Sequence, residues 1–100
     1  MKSHPFRKKW GQNFLQDPNI IRKIVAQLDP QPHDVVIEIG PGQGALTFEL
    51  AKQVNTVHAI EIDPLLVDHL NAHTPENVNI IHQDILELDL HQFSGDVKII

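Results

Sequence analysis

Three glycines at alternate positions, directly after a run of β-branched residues, narrow the fold of this chain more than any other feature. Val35-Val36-Ile37-Glu38-Ile39 reads as a short buried strand, and Gly40-Pro41-Gly42-Gln43-Gly44 follows with no spacer. Glycine has no Cβ and enters left-handed backbone at little steric cost, so such a run turns sharply and lets a ligand approach the main chain. Ala45, Leu46, Phe48, Glu49, Leu50 and Ala51 then suit a helix. A strand, a glycine turn and a helix open an α/β unit whose turn sits at the carboxyl end of a parallel strand.

The rest of the chain repeats that grammar. Asp17-Pro18 is a helix start: the carboxylate caps free N–H groups, and proline at the first helical position loses nothing by lacking its own. Ile20, Ile21, Ile24, Val25 and Leu28 fall on one helical face, and Asp29-Pro30-Gln31-Pro32 ends the helix. Thr56 to Ile62 predicts a second strand, and Asp63-Pro64 starts a helix carrying Leu65, Leu66, Val67 and Leu70. Val78 to His82 predicts a third strand and Asp96 to Ile100 a fourth, with a loop between them. Such alternation implies a parallel sheet with helices on its faces, an α/β Rossmann-like fold. Residues 1–16 read as a basic arm and 17–100 as one domain. A parallel strand normally feeds a covering helix, so a chain whose fourth strand ends in Ile99-Ile100 is expected to be the N-terminal part of a longer sheet.

In an open α/β sheet, ligands bind beyond the carboxyl ends of the strands. Each of the first three strands offers something there. Gly40 opens the glycine turn. Glu61 ends the second strand, about 20 residues after the turn, where an acid accepts hydrogen bonds from ribose hydroxyls. Asp84 follows the third strand, where it could accept from the exocyclic amine of adenine while Ile62 and Ile85 sandwich the ring. A cap or turn role is the alternative for each acid. Asp63 already supplies the cap ahead of Pro64, which leaves Glu61 freer for a ligand. Together these residues describe a site for an adenine nucleoside. Gly40-x-Gly42-x-x-Ala45 also satisfies a loose dinucleotide fingerprint, so a nicotinamide-dependent oxidoreductase is a rival reading. Pro41 and the alternate glycines favour S-adenosylmethionine, which has no pyrophosphate to cradle. Glu38 points the same way, because an acid at a buried strand end needs a partner and a cationic ligand or ordered water would be one.

Composition removes other classes. There are no cysteines, hence no disulfide and no thiolate metal site. No apolar run approaches a membrane span and no signal-peptide core follows the basic start, so the expectation is a cytoplasmic protein without membrane attachment. The net charge of -5 conceals an asymmetry. Residues 1–23 hold Lys2, Arg7, Lys8, Lys9, Arg22 and Lys23 against Asp17 alone, whereas the remainder is strongly acidic. A basic arm on an acidic body hints at nucleic-acid contact. Phe6, Trp10 and Phe14 recur every four residues in that arm and could stack on bases or cover the core. His69 and His73 have a zinc-compatible spacing but lack a third ligand, and the other histidines show no ligand pattern, so no metal site is expected.

Arg7-Lys8-Lys9-Trp10-Gly11-Gln12-Asn13-Phe14-Leu15, Glu38 through Thr47, Ala59-Ile60-Glu61-Ile62-Asp63 and Gln83-Asp84-Ile85-Leu86 resemble the ribosomal RNA adenine dimethylases, and within them the bacterial small-subunit branch. The glycine turn is common to many methyltransferases, whereas Gly11 to Leu15 is far more specific. The resemblance implies the N-terminal part of an S-adenosylmethionine-dependent methyltransferase sheet. It implies N6-dimethylation of two adjacent adenines near the 3′ end of 16S rRNA, with small-subunit rRNA in the assembling 30S subunit as partner and a monomeric enzyme. By the same resemblance Asn13 and Leu15 would touch the cofactor from the arm, Gly40 would line its methionine end, Glu61 would hold the ribose, and Asp84 and Ile85 the adenine. The family's catalytic Asn-Leu-Pro-Tyr motif would fall beyond residue 100, so no catalytic residue is assigned and this stretch alone is not expected to turn over. A large-subunit rRNA methyltransferase and a non-catalytic RNA-binding assembly factor are the remaining alternatives.

Overall fold

The computed structural model describes residues 17–100. Its first helix, α1 (Pro18–Leu28), begins as the sequence predicts: the Asp17 carboxylate accepts the Asn19 N–H at 2.8 Å, with Pro18 at the first helical position. Ile21 and Val25 are buried, and the helix ends at Asp29, whose left-handed φ of 50° returns its N–H to the Val25 carbonyl. Then come β1 (Asp34–Ile39), α2 (Ala45–Ala51), β2 (Thr56–Glu61), α3 (Pro64–Asn71), β3 (Val78–His82) and β4 (Asp96–Ile99). The opening of α3 repeats that of α1, with Asp63 accepting the Leu65 N–H at 2.9 Å.

The four strands form one parallel sheet in the order β3-β2-β1-β4. From β1 to β2 and from β2 to β3 the chain steps the same way, and right-handed crossovers put α2 and α3 on one face. Val36, Val57 and Val78 stand in register across that face. They form the core with Ile21 and Val25 of α1 and Leu46, Leu50 and Ala51 of α2. From β3 the chain steps back past β2 and β1 to reach β4, and so crosses the other face. The connection predicted as a loop contains two short 3-10 turns, Ile85–Glu87 and Leu90–Gln92, each capped by the aspartate before it. It lays the Phe93 ring 4.6 Å from that of His58. The strand order reverses at β1, with β2 on one side and β4 on the other, and a crevice opens at its carboxyl end.

Lys98 locks α1 to the sheet. Its ammonium donates to the Leu28 and Asp29 carbonyls at 3.2 and 2.8 Å and pairs with the buried Asp34 carboxylate at 3.1 Å. A cation at a helix C-terminus satisfies carbonyls that have no partner within the helix. The Gln31 N–H, 2.7 Å from Asp34, and then Lys98 hold that carboxyl below its ordinary range against the opposing effect of burial.

Leu50 has no solvent exposure, whereas Leu86 is 89% exposed. Leu50→Ala is expected to lower the unfolding free energy by about 2–5 kcal/mol and Leu86→Ala by less than about 0.5 kcal/mol, read from urea denaturation. Equal costs at the two positions would contradict a core on the helix-covered face.

Candidate functional site

The crevice is built around β1. The Ile39 N–H donates to the Ile100 carbonyl and the Gly40 N–H to the Ile60 carbonyl, both at 2.9 Å, so the strand's last residues are anchored on both sides. Beyond them Gly40, Gly42 and Gly44 have φ of +70°, +63° and +95°. At Gly40 and Gly42 a Cβ would stand in open space, so the backbone of the turn is approachable. At Gly44, the N-cap of α2, a Cβ would lie 2.8 Å from the Leu70 side chain and 2.9 Å from the Phe48 ring. The first two glycines thus serve access, and the third serves packing of α2 against α3.

Glu61 lies at the floor of the turn, only 6% exposed. One of its oxygens accepts the Gly42 N–H at 3.4 Å and the other the Asp63 N–H at 3.1 Å. The expectation that Glu61 is left free needs correction: Asp63 does cap α3, but Glu61 is itself a structural tie between the turn and the end of β2. A carboxylate offers about four acceptor positions, so these two bonds leave capacity for hydroxyl donors.

Ile39, Gly40, Ile60, Glu61, Ile62, Gln83, Asp84 and Ile85 line one cavity, which brings together five residues predicted from sequence. Ile62 is 61% exposed at the rim, and Ile85 is half-buried. Asp84 performs the capping role foreseen as its alternative, accepting the Leu86 N–H at 2.9 Å through Oδ1. That bond holds the carboxylate at the cavity wall through one of its two oxygens. Asn13 and Leu15, like the aromatic residues Phe6, Trp10 and Phe14, lie outside the described residues.

Glu38, the buried strand-end acid expected to need a partner, finds one that the sequence reading did not name, the Thr47 hydroxyl. Thr47 is wholly buried and its hydroxyl donates to the Glu38 carboxylate, itself 4% exposed. Desolvation pushes the Glu38 carboxyl up to about 7, and the nearby negative Glu61 adds to the rise, while the Thr47 hydroxyl opposes it. Thr47 was legible in principle: it shares the inward face of α2 with Leu50 and Ala51, so a polar group there must find a polar partner on the sheet.

At the opposite end of the sheet, His33, Asp34 and Asp96 bring one nitrogen and two carboxylates within 4.8 Å. His33 Nε2 is 3.1 Å from Asp96 and 3.7 Å from Asp34. Lys98 already supplies Asp34 with positive charge, so the group reads as an ion-pair network. The His69 and His73 rings lie 5.0 Å apart, with His73 Nδ1 2.8 Å from the His69 carbonyl.

Comparison with known proteins agrees with this geometry. The family model for ribosomal RNA adenine dimethylase matches residues 3–98. The ribosomal RNA small subunit methyltransferase A of Neisseria gonorrhoeae (strain NCCP11945) is 48% identical over 101 residues, which cover 100% of this chain and 39% of that protein. The chain therefore spans about two-fifths of that relative's length. Among solved structures, the 23S rRNA methyltransferase ErmE superposes with a TM-score of 0.63 at 34% identity, over 73% of this chain and 31% of that one. A dimethyladenosine transferase from Plasmodium falciparum gives 0.70 at 24% identity, over 83% and 31% respectively, a likeness of fold.

Two outcomes test this reading of the crevice. Gly44→Ala forces a side chain into left-handed backbone and against Leu70, and is expected to cost about 1–2 kcal/mol of stability in a urea melt. An unchanged midpoint would show that α2 and α3 are not packed through this glycine. The raised Glu38 carboxyl stabilises the folded state fully below its ordinary value of 4.5, and that contribution is lost as pH rises through about 7. The stability of the wild type relative to Glu38→Gln should therefore fall with rising pH across that window, by up to about 3 kcal/mol. A pH-independent difference would place the carboxyl in contact with water.

Proposed function

The chain belongs to the ribosomal RNA adenine dimethylase family, and from that premise we propose that its crevice binds S-adenosylmethionine for the N6-dimethylation of adenines in small-subunit ribosomal RNA. The observation that carries the reading is the shared cavity of Gly40, Glu61, Ile62, Asp84 and Ile85 at the carboxyl end of β1. The residues fit the cofactor. The approachable backbone at Gly40 and Gly42 suits its methionine end, the Glu61 carboxylate its ribose hydroxyls, and the Asp84 carboxylate its adenine amine. Ile62 and Ile85 offer apolar surface to the two faces of the ring. Asn13 and Leu15 complete the set from the arm by family resemblance. When bound, the cofactor supplies a sulfonium-activated methyl group.

The residues described here orient that group and do not transform it. Glu61 fixes the ribose against the floor of the turn, and its bond to the Gly42 N–H keeps the turn in its ligand-ready shape. The N6 lone pair of adenine is delocalised into the purine, so the reaction also needs acceptors for its N–H bonds, and none of residues 17–100 is assigned that role. The finer reading is that the target is a pair of adjacent adenines near the 3′ end of 16S rRNA. It is supported by 48% identity to a protein named for the small subunit. With it go a partner in the assembling 30S subunit, a monomeric enzyme and a cytoplasmic location. Among the described residues, no helix is long and apolar enough to cross a membrane. The basic residues of the arm are suited to RNA phosphates.

Calorimetric titration with S-adenosylmethionine, with NAD as a parallel titrant, tests the site. Saturable binding of the methyl donor alone is expected. Glu61→Ala should weaken it roughly 10–100-fold, the cost of losing hydrogen bonds to a charged acceptor, in a sample that circular dichroism shows folded. Binding of NAD alone would overturn the reading in favour of an oxidoreductase.

A further inference from the structure

Glu38 is a buried ionisable group just behind the cavity, next in sequence to the lining residue Ile39 and beside Glu61 on the sheet, and the cofactor assignment leaves it without a task. Its Cα is in register with Ala59, two residues before Glu61 on the neighbouring strand. Side chains alternate along a strand, so Glu38 and Glu61 project from the same helix-covered face as diagonal neighbours. Both are more than nine-tenths buried.

No cation among the described residues faces this pair. From α2, the group turned toward Glu38 is the Thr47 hydroxyl. Glu49 on the same helix lies near the surface and pairs with Lys52 at 3.0 Å. From α1, Arg22 donates to Asn19 and lines a groove with Glu49. From β4, the Lys98 ammonium is committed to Asp34 and to the Leu28 and Asp29 carbonyls. From β3, His82 Nε2 meets the Ile62 carbonyl at 3.1 Å. On α3, His69 lies against His73 and the other charged groups, Asp63 and Asp68, are acids, so among the described residues the two carboxylates share a shielded space without a counter-charge. Backbone N–H groups support Glu61 on both oxygens, whereas Glu38 has a single neutral hydroxyl. Of the two, Glu38 is the acid that keeps a proton when nothing positive is near.

We propose that binding of S-adenosylmethionine is coupled to ionisation of Glu38, so that the site meets the ligand's positive charge by releasing this proton to solvent. The proposal rests on the cofactor reading above and goes beyond it, because it makes Glu38 the residue that discriminates ligand charge. With the site empty, burial and Glu61 raise the carboxyl to about 7, so much of the protein carries the proton at neutral pH. A sulfonium and an ammonium arriving nearby favour the anion. By linkage, affinity then rises with pH toward the empty-site value, roughly fivefold from pH 6 to pH 7, below the range in which the ligand's own α-ammonium titrates. S-adenosylhomocysteine lacks the sulfonium charge and gains less, so the preference for donor over demethylated product widens as pH rises.

The test is calorimetry at pH 6.5 in buffers of different ionisation enthalpy, with the protein titrated by S-adenosylmethionine. The wild type is expected to release roughly half a proton to one proton per ligand bound. Glu38→Gln, nearly isosteric and checked for folding by circular dichroism, should lose that release and bind with an affinity flat between pH 6 and 7, below the titration of the ligand's α-ammonium. Wild-type binding without proton release would overturn the coupling while leaving the cofactor site intact, and this outcome needs no variant. A release unchanged in Glu38→Gln would also overturn it. Absence of binding at every pH in a folded sample would remove the cofactor reading and the coupling with it.

Discussion

The site depends on one constraint: β1 is hydrogen-bonded on both edges up to its last residue, and only then does the backbone turn left-handed. The Ile39 and Gly40 N–H groups are held by β4 and β2 respectively. Main-chain bonds on both sides deny the strand end freedom to fray, so the left-handed exit at Gly40 starts from a fixed point. Without β2 the turn would lose both the Ile60 carbonyl and the Glu61 carboxylate that hold it. Without β4, α1 would lose the Lys98 ammonium at its C-terminus. The crevice is therefore a property of strand order, and its floor forms only once three strands have paired.

Much of this was legible in the sequence because its signals are local. Asp17-Pro18 and Asp63-Pro64 announce helix starts through chemistry confined to three residues, and both caps form as read. The β-branched run of β1 needed no partner to be recognised. What escaped was non-local. Thr47 acquires meaning only when α2 lies on the strand carrying Glu38. His33 gave no ligand pattern because Asp96 reaches it only through the pairing of β1 with β4, which sets Asp34 beside Asp96. The 3-10 turns after β3 were missed because three-residue helices carry no periodicity, although each is introduced by an aspartate cap.

At Glu61 and Asp84 the observed structural role is compatible with the proposed ligand-binding one. Each was weighed as either cap or ligand group, and each makes a local backbone bond in the folded chain. A carboxylate held by an N–H cannot swing away, so the bond that fixes the loop also aims the remaining lone pairs. Capping would then be the means by which each acid is held in place for the proposed ligand.

The two ends of β1 carry opposite solutions to the same problem, a buried acid on a parallel strand. At the amino end, Asp34 receives a backbone N–H and an ammonium, and its carboxyl is held below the ordinary range. At the carboxyl end, four residues on and on the same face, Glu38 receives one hydroxyl and a neighbouring negative charge, and its carboxyl is raised. Both side chains are shielded from solvent, but desolvation is the leading effect at Glu38 and is outweighed by the Gln31 N–H and Lys98 at Asp34, so depth of burial and partners both separate them. A fold that needed Glu38 only for stability could have given it the kind of cation it gives Asp34. Leaving it with a neutral hydroxyl and no cation among the described residues, beside a turn with open space above Gly40 and Gly42, costs stability at neutral pH. Under the proposed coupling a positively charged ligand would offset that cost, which would assign binding to the carboxyl end of β1, whereas the ion pairs at its amino end hold the fold together.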